Sequence, residues 1–399
     1  MFKRGFNKIY MKVLWVAAKL LPISKPTMFI GKDSSVELCR SIALMGPKKV
    51  LIVTDAGIVN LGFVEMLSSE LEKWSVSTEC YSRVTPDPTY DQVESGAVLY
   101  RESCCDAVLA IGGGSPIDCG KAIAALATNV KPIKRLTGLL KLRKAPAPLF
   151  VIPTTAGTGS EVTVAAVISD PITHKKTPIL DHKLMPVAAA LDPVLMQGLP
   201  SHITAQTGMD ALTHAVESYI STNATPETDR YALAAVKLIA KSLETAVSNG
   251  GNLEARLDMA LASYYAGLAF TKASLGYTHA IAHTLGSYYG VPHGLANALV
   301  LPNVLAYSKN SAASRLANLA VVIGEPAGGD NAEAFISWVR DLRQKLGIPD
   351  TLESLDEGDI AGIARQACIE AVWNYPAPRY MEQQDCERVI AELLPTTAD

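Results

Sequence analysis

The chain has 399 residues, of which 49% are hydrophobic and 19% are charged, so it is long enough for two well-packed domains. Its 36 basic and 39 acidic residues give a net charge of −3, and no basic excess favours nucleic-acid binding. The seven cysteines include no C-x-x-C pair, and no charge-free run reaches the about 18 apolar residues of a membrane span. These features predict a cytoplasmic protein without a transmembrane segment.

The N-terminal stretch, residues 1–25, interleaves basic and apolar side chains and contains no acidic residue. Such a pattern is typical of a basic amphipathic helix on an anionic membrane surface, and it has some character of a targeting peptide. The alternative is a leader helix that packs on its own domain or on a partner subunit. We therefore expect an N-terminal extension. Its two alternative roles are peripheral membrane contact and packing on its own domain or on a partner subunit.

Short β-branched segments alternate with helical segments in the first half of the chain. Strands are predicted at 49–55, 75–81, 107–111 and 149–153, and helices at 61–74, 90–103 and 116–127. This alternation predicts a parallel sheet wound by helices. We assign it to an α/β domain over residues 26–193.

Beyond about Pro193 the strands become rare and a helical periodicity takes over. Helices are predicted at 204–221, 226–249, 253–270, 278–286, 312–323 and 331–346. The sequence therefore predicts a second, all-helical domain over residues 194–399.

Five polar residues in the helical half have the spacing of a metal site. Asp210 and His214 lie four apart on one predicted helix, His279 and His283 lie four apart on another, and His293 follows shortly after. Residues four apart share a helix face, so each pair can point at one cation. Three imidazoles and a carboxylate suit a divalent transition metal. The alternative is a coincidental pairing on two helix faces.

The glycine-rich segment Gly112-Gly113-Gly114-Ser115 follows a predicted strand and opens a predicted helix. Backbone N–H groups in such a loop can hold a pyrophosphate, although a tight packing turn is the alternative. Asp55 ends an earlier strand, where its carboxylate can accept from ribose hydroxyls and favour NAD over NADP. The alternative for this residue is a helix N-cap.

Taken together, these motifs resemble the iron-containing (group III) alcohol dehydrogenase family. The resemblance covers about residues 26–395, in the right order and with similar spacing. It includes GGGSPIDCGKA at 112–122, IPTTAGTGSEVT at 152–163, GMDALTHAVESYIS at 208–221 and LGYTHAIAHTLGSYYGVPHGLANALVLP at 275–302. The resemblance implies an α/β dinucleotide-binding domain followed by an all-α domain, the fold shared with dehydroquinate synthase.

The resemblance also implies roles for individual residues. The metal ligands are expected to be Asp210, His214, His279 and His293. The cofactor-binding residues are expected to be Asp55, Asp87, Gly112, Gly113, Gly114, Ser115, Asp118, Thr154, Thr155, Thr158 and Lys176. His283 is expected beside the nicotinamide and the substrate, and Phe270 in the substrate pocket.

The reaction implied is reversible hydride transfer between a primary alcohol and NAD⁺, with the metal as a Lewis acid. His283 is the best candidate for a proton relay, and a pocket wall is its alternative role. The absence of a thiolate fits Fe(II), and Zn(II) is an alternative. We expect a homodimer or a higher homo-oligomer.

Other functions stay open at this point. A diol or lactaldehyde reductase, or a glycerol dehydrogenase, shares the superfamily, and segment 374–379 departs from the common Asn-Pro-Arg pattern, so substrate preference does not transfer. A cyclising enzyme similar to dehydroquinate synthase needs basic residues around a phosphorylated substrate, and few lie between residues 205 and 300. A membrane-surface protein with a bound nucleotide is supported only by the N-terminal stretch.

Overall fold

The computed structural model describes residues 24–172, 175–326 and 328–395. One compact unit ends at Leu199, and a second begins at Pro200. The predicted extension over residues 1–25 lies outside the described residues except for its last two positions. Within the described ranges, none of the helices combines the length and the apolar character that a membrane span requires.

A parallel six-stranded sheet forms the centre of the N-terminal unit, in the order β1-β9-β6-β4-β2-β3. A smaller sheet of order β5-β8-β7 accompanies it. The strands are β1 (Thr27–Ile30), β2 (Lys49–Val53), β3 (Ser77–Tyr81), β4 (Ala107–Gly112), β5 (Gly138–Leu139), β6 (Leu149–Pro153), β7 (Ala165–Ser169), β8 (Lys176–Leu180) and β9 (Ala188–Leu191). The predicted parallel α/β architecture is confirmed.

Helices cover both faces of the large sheet. They are α1 (Ser34–Leu44), α2 (Ala56–Asn60), α3 (Phe63–Glu72), α4 (Tyr90–Glu102) and α5 (Gly114–Thr128). Alternate side chains of β2 enter different cores: Val50 and Ile52 pack with α1 and α3, whereas Leu51 and Val53 pack with α4 and α5. The central strands β4 and β6 are buried on both faces and are continuous apolar runs.

The carboxyl ends of β2, β4 and β6 lie side by side at one edge of the sheet, because these three strands are neighbours. Asp55, Gly112 and Thr154 follow or end these strands, and the Thr154 N–H donates to the Gly112 carbonyl at 2.9 Å. In doubly wound sheets this edge is where ligands bind. Three separate predicted cofactor segments are therefore brought to one edge.

The C-terminal unit is helical, as predicted. Its helices are α6 (Ser201–Ile220), α7 (Pro226–Ser248), α8 (Leu253–Ala273), α9 (Tyr277–Tyr289), α10 (His293–Val322), α11 (Asn331–Lys345), α12 (Ile360–Asn374) and α13 (Gln383–Ala391). Helix α6 packs against α7, α8 and α10, and its residues from Gly208 onward are buried on every side. A helix buried all round belongs to the core, so any polar side chain in this part of α6 is held away from solvent.

Helix α10 begins at His293, whereas the sequence predicted a helix over residues 312–323; the helix itself is present to Val322, but its predicted start was wrong. Pro302 lies inside the helix. Proline removes one backbone donor and usually interrupts a helix, but here the burial of the surrounding apolar residues outweighs the loss. As a result His293 stands in the first turn of a long, rigid element.

Gly120 sits where α5 crosses β4, and a Cβ atom there would lie 2.7 Å from the Cβ of Ala110. We expect Gly120→Val to lower the free energy of unfolding by about 1–3 kcal/mol through overpacking, more than the small gain in helix propensity. Urea denaturation measures the change. Gly198→Val is the control, because nothing lies within 4 Å of a Cβ at that position. Equal stability of the two variants would contradict the expected overpacking.

Candidate metal centre and cofactor site

Asp210 and His214 lie one turn apart in the buried part of α6, with 2% and 5% of their surfaces exposed. His279 comes from the start of α9 and His293 from the first turn of α10. One potential ligand atom from each of the four residues lies within 4.8 Å of the other three. Three helices therefore bring the four predicted ligands to one point.

The distances within this cluster fit a four-coordinate metal. From Asp210 Oδ1 the Nε2 atoms of His214, His279 and His293 lie at 3.9, 3.8 and 3.5 Å. A tetrahedral centre with bonds of about 2.1 Å separates its ligand atoms by about 3.4 Å. The structure comes close to that spacing, and the donor set, with three nitrogens, one oxygen and no thiolate, suits a divalent cation.

The protonation states also suit a cation. Burial and the neighbouring His214 hold the pKa of His279 well below its ordinary value, so its imidazole is neutral. Burial alone would raise the pKa of Asp210, but the imidazoles of His214, His293 and His279 hold it below its ordinary value. A neutral imidazole and an ionised carboxylate are the forms that bind metal. The roles of the four residues as ligands stay a prediction.

Asn297 belongs to this cluster, and the sequence reasoning missed it. Its Nδ2 donates to Asp210 Oδ1 at 2.7 Å and lies 3.3 and 3.2 Å from the Nε2 atoms of His279 and His293. Asn297 is fully buried, and its Oδ1 has no hydrogen-bond partner among the described residues. It lies four residues after His293 on α10, a spacing that could have indicated a shared face.

Two aromatic stacking contacts place the other predicted residues beside the cluster. Phe270 stacks on His214 with ring centroids 4.4 Å apart. His283 stacks on His293 at 5.1 Å. Both residues therefore border the candidate metal centre. The pocket role of Phe270 and the proton-relay role of His283 stay predictions.

His283 is held by a carboxylate that the sequence did not indicate. Its Nδ1 lies 2.7 Å from Glu370 Oε1, and the same oxygen accepts a hydrogen bond from the Tyr375 hydroxyl at 2.8 Å. Glu370 is on α12, and Tyr375 directly follows that helix. Tyr375 lies in segment 374–379, where the sequence departs from the common family pattern. That departure could have drawn attention to Tyr375 in the sequence, whereas no feature of the sequence indicated Glu370.

In the N-terminal unit, the glycine loop connects β4 directly to α5. Gly112 has a φ of +142°, and a Cβ on it would lie 2.6 Å from Pro116 Cγ. A Cβ on Gly114 would lie 2.7 Å from Thr158 Cγ2, and one on Gly113 would contact Thr155. Gly112 is needed for its positive φ and its closeness to Pro116, and Gly114 for the close packing on Thr158, whereas the contact at Gly113 is an ordinary one. Ser115 follows in the first turn of α5, whose N-terminus favours an anion.

The Asp55 carboxylate caps α2 by accepting the Ile58 N–H at 3.1 Å. Its other oxygen, Oδ2, would lie 3.5 Å from a Cβ on Gly112, so the carboxylate also borders the glycine loop. The helix cap that was the alternative role of Asp55 is present. A role towards the cofactor ribose stays a prediction, since one oxygen of the carboxylate is left for it.

The Asp118 carboxylate is used inside the N-terminal unit. Its oxygens accept from Ser160 Oγ at 2.6 Å and from the Val167 N–H at 2.9 Å. Beside it the fully buried Lys121 ammonium donates to Ser160 Oγ at 3.1 Å and Thr163 Oγ1 at 2.8 Å, and burial lowers the pKa of Lys121 to about 8. These groups hold in place the threonine-rich loop, residues 154–163. We therefore expect Asp118 to act on the cofactor through that loop.

Lys176 and Asp87, both predicted to contact the cofactor, form an ion pair with Nζ and Oδ1 2.7 Å apart. Asp87 has a positive φ of 55°, and its side chain is 63% exposed. Thr154 is buried at the end of β6. The structure thus pairs two of these residues with each other, and their contacts to a nucleotide stay predictions.

Comparison with known proteins identifies the family. The profile described as "Iron-containing alcohol dehydrogenase" matches residues 26–193, and that described as "Fe-containing alcohol dehydrogenase family, C-terminal" matches residues 204–394. The chain belongs to the iron-containing alcohol dehydrogenase family. The family expected from the motifs is therefore confirmed, and this family member is a dehydrogenase.

Individual relatives cover most of this alcohol dehydrogenase family member. Alcohol dehydrogenase 4 of Schizosaccharomyces pombe is 43% identical over 85% of this chain and 81% of its own. NAD-dependent methanol dehydrogenase of Bacillus methanolicus is 37% identical over 92% and 98%. A crystal structure of 1,3-propanediol oxidoreductase is 37% identical, covers 92% of this chain and 98% of its own, and has a TM-score of 0.90. The fold is thus shared with that solved structure.

We expect His279→Ala to reduce metal occupancy sharply, because His279 is predicted to supply one of four ligand atoms and is itself buried. The measurement is metal content per chain by elemental analysis, with the fold checked by circular dichroism. His202→Ala is the matched control, since His202 is exposed on α6 and lies outside the cluster. Full metal content in His279→Ala would show that the cluster is not the metal site.

Proposed function

We propose that the chain interconverts a primary alcohol and its aldehyde by hydride transfer to and from NAD, at a divalent metal held by Asp210, His214, His279 and His293. The convergence of four ligand atoms within 4.8 Å carries this proposal. Membership of the family and the relative named as an NAD-dependent methanol dehydrogenase support NAD as the cofactor. NADH formation from ethanol or a longer alcohol, on protein of known metal content, tests it.

When bound, the metal supplies Lewis acidity at the oxygen of the substrate, and NAD supplies the hydride acceptor. The protein's own residues set the geometry. Asp210 and the three imidazoles fix the position of the cation from three helices. The Phe270 ring, stacked on His214, offers an apolar surface that excludes water next to the ligands. The alkyl part of a small alcohol suits such a surface.

We propose iron as the metal and keep zinc as the alternative. The cluster contains nitrogen and oxygen donors and no sulfur, and such a set binds Fe(II), Mn(II) or Zn(II). The family name supports iron. Purification without oxygen followed by elemental analysis separates the two metals.

His283 is proposed to take up the proton that leaves the alcohol. Glu370 fixes its Nδ1 at 2.7 Å, which leaves Nε2 as the atom that exchanges a proton. The side chain is 29% exposed, so solvent can reach it. The alternative, in which His283 is only a wall of the pocket, predicts a different kinetic result, described below.

The glycine loop 112–115, the segment 154–158 and Asp55 are proposed to hold the cofactor. They lie at the carboxyl edge of β2, β4 and β6, the ligand-binding edge of a doubly wound sheet. Lys176 with Asp87 is proposed to add contacts to the adenosine and phosphate portion. A cytoplasmic location and a homo-oligomeric state also stay predictions.

A diol is the second candidate substrate class. The likeness to 1,3-propanediol oxidoreductase, at a TM-score of 0.90, favours it. So does the polar group of His283, Glu370 and Tyr375 beside the cluster, which offers hydrogen bonds to a second hydroxyl. A comparison of kcat/KM for 1-propanol and 1,3-propanediol distinguishes the two classes, and lactaldehyde and glycerol test the remaining relatives of this superfamily.

We expect Asp55→Gly to shift the kcat/KM ratio towards NADP, because the carboxylate repels a 2′-phosphate. Asp55→Asn is the matched variant: it removes the charge but keeps an N-cap side chain. Both variants should therefore use NADP better than the wild-type protein does. Unchanged discrimination in both would leave Asp55 with the cap of α2 as its only role.

We expect His283→Ala to lower kcat by about 10²-fold, the lower end of the range for general acid–base groups, because the metal also activates the alcohol. Metal content should stay intact, since His283 is not among the four clustered ligands. Steady-state kinetics with elemental analysis measure both, and His202→Ala is the control. An unchanged kcat with a raised KM for the alcohol would instead assign His283 to the pocket wall.

A further inference from the structure

Glu217 is a buried carboxylate on the same helix as two of the proposed ligands. It lies seven residues after Asp210 and three after His214 on α6, so the three side chains share one helix face. Glu217 is 3% exposed. A carboxylate held this far from water needs hydrogen-bond donors around it, and its partners identify its role.

Among the described residues, the donors that hold Glu217 come from the start of α9. Its Oε1 accepts the Thr278 N–H at 2.7 Å, and its Oε2 accepts the Gly276 N–H at 2.8 Å. Oε2 also lies 2.7 Å from His279 Nδ1. One carboxylate thus binds two backbone groups and one ring of the same short segment.

The two backbone contacts act as a helix cap supplied by another helix. The first N–H groups of a helix have no partner inside it, and a negative charge is favourable at this end. Gly276 is the N-cap of α9 and Thr278 lies in its first turn. Their bonds to Glu217 set the position of the first turn of α9 relative to α6. Asp210 and His214 therefore lie in a defined position relative to His279.

The ring contact sets the orientation of His279. When Nδ1–H donates to Glu217, the lone pair of the imidazole is on Nε2, the atom that lies 3.8 Å from Asp210 Oδ1. Metal-binding histidines commonly donate their second nitrogen to a carboxylate, which fixes both tautomer and ring plane. The nitrogen that must bind the cation is thereby left available.

We propose that Glu217 is a positioning residue for the metal: it joins the two ligands of α6 to His279 and keeps the His279 Nε2 atom ready to bind the cation. This inference rests on the proposed function, in which these residues bind the metal. Glu217 itself is not among the four clustered residues.

Gly276 gives an independent way to disturb this contact without removing the carboxylate. A Cβ atom at position 276 would lie 2.7 Å from Glu217 Oε1 and 3.1 Å from its Cδ. The φ of Gly276 is −146°, which is not in the left-handed region, and the three atoms nearest to such a Cβ all belong to Glu217. Gly276→Ala therefore displaces Glu217 while its charge is kept.

The experiment measures the dissociation constant of Zn²⁺ for the metal-free full-length chain under reducing conditions, by competition with a chromophoric chelator. Glu217→Gln replaces an acceptor oxygen by an NH₂ group that cannot accept from His279. We expect the dissociation constant to rise about 10–100-fold in Glu217→Gln and in Gly276→Ala. His279→Ala measures the zinc binding that remains when one proposed ligand is missing, together with any binding to the free cysteines.

Asp192→Asn is the matched control, because Asp192 is also a buried carboxylate that accepts backbone N–H groups, those of Ser35 and Val194. It should lower thermal stability and leave zinc affinity unchanged. Wild-type zinc affinity in folded Glu217→Gln and Gly276→Ala would overturn the proposal. If Glu217→Gln fails to fold, Gly276→Ala decides alone. If the wild-type chain binds zinc no better than His279→Ala does, the cluster is not a metal site and the proposed function itself is contradicted.

Discussion

The C-terminal unit depends on one constraint, the burial of the ionised Asp210 side chain in the middle of a helix core. A buried carboxylate without partners costs several kcal/mol, so the surrounding helices must supply donors or a cation. Asn297 supplies one hydrogen bond, at 2.7 Å, and three imidazoles face the same oxygen within 3.9 Å. Helices α6, α9 and α10 therefore have to meet at this point. In the proposed metal site, a divalent cation would supply the positive charge that stabilises this carboxylate.

The proposed cofactor site in the N-terminal unit has a different requirement, which is to bring backbone N–H groups close to a polyanion. The strand order places β6, β4 and β2 next to each other, so the segments after them meet at one sheet edge. Side chains would fill that edge, and glycines at 112 and 114 leave room for the neighbouring Pro116 and Thr158. Buried hydrogen bonds from Lys121 then hold the threonine-rich loop against the glycine loop. The buried Lys121 ammonium thus holds the threonine-rich loop in place.

The sequence could predict what depends on local spacing, but not what depends on distant contacts. The two fold classes followed from strand and helix periodicity. Spacing of four residues indicated the pair Asp210 and His214, but His283, four residues after His279, lies outside the cluster. The full set of four, with His293, was expected from the family resemblance. Pro302 argued against a helix in the first half of α10, so the helical spacing between His293 and Asn297 was not recognised. Glu370 lies 87 residues from His283 in the chain, so only tertiary packing of α12 on α9 brings them together. No pattern in the sequence carries that contact.

Helix α9 carries two histidines one turn apart. They have the same kind of hydrogen bond but differ in exposure. The Nδ1 of His279 is held by Glu217 and that of His283 by Glu370, each at 2.7 Å, so both rings have Nε2 available. The first pair is 1% and 2% exposed, whereas the second is 29% and 28% exposed. A nitrogen sealed from water suits a permanent ligand, because water does not compete with a cation for its lone pair. A nitrogen in reach of water suits proton exchange, because the proton must leave the site. Burial, rather than hydrogen bonding, is therefore what separates the proposed ligand from the proposed relay.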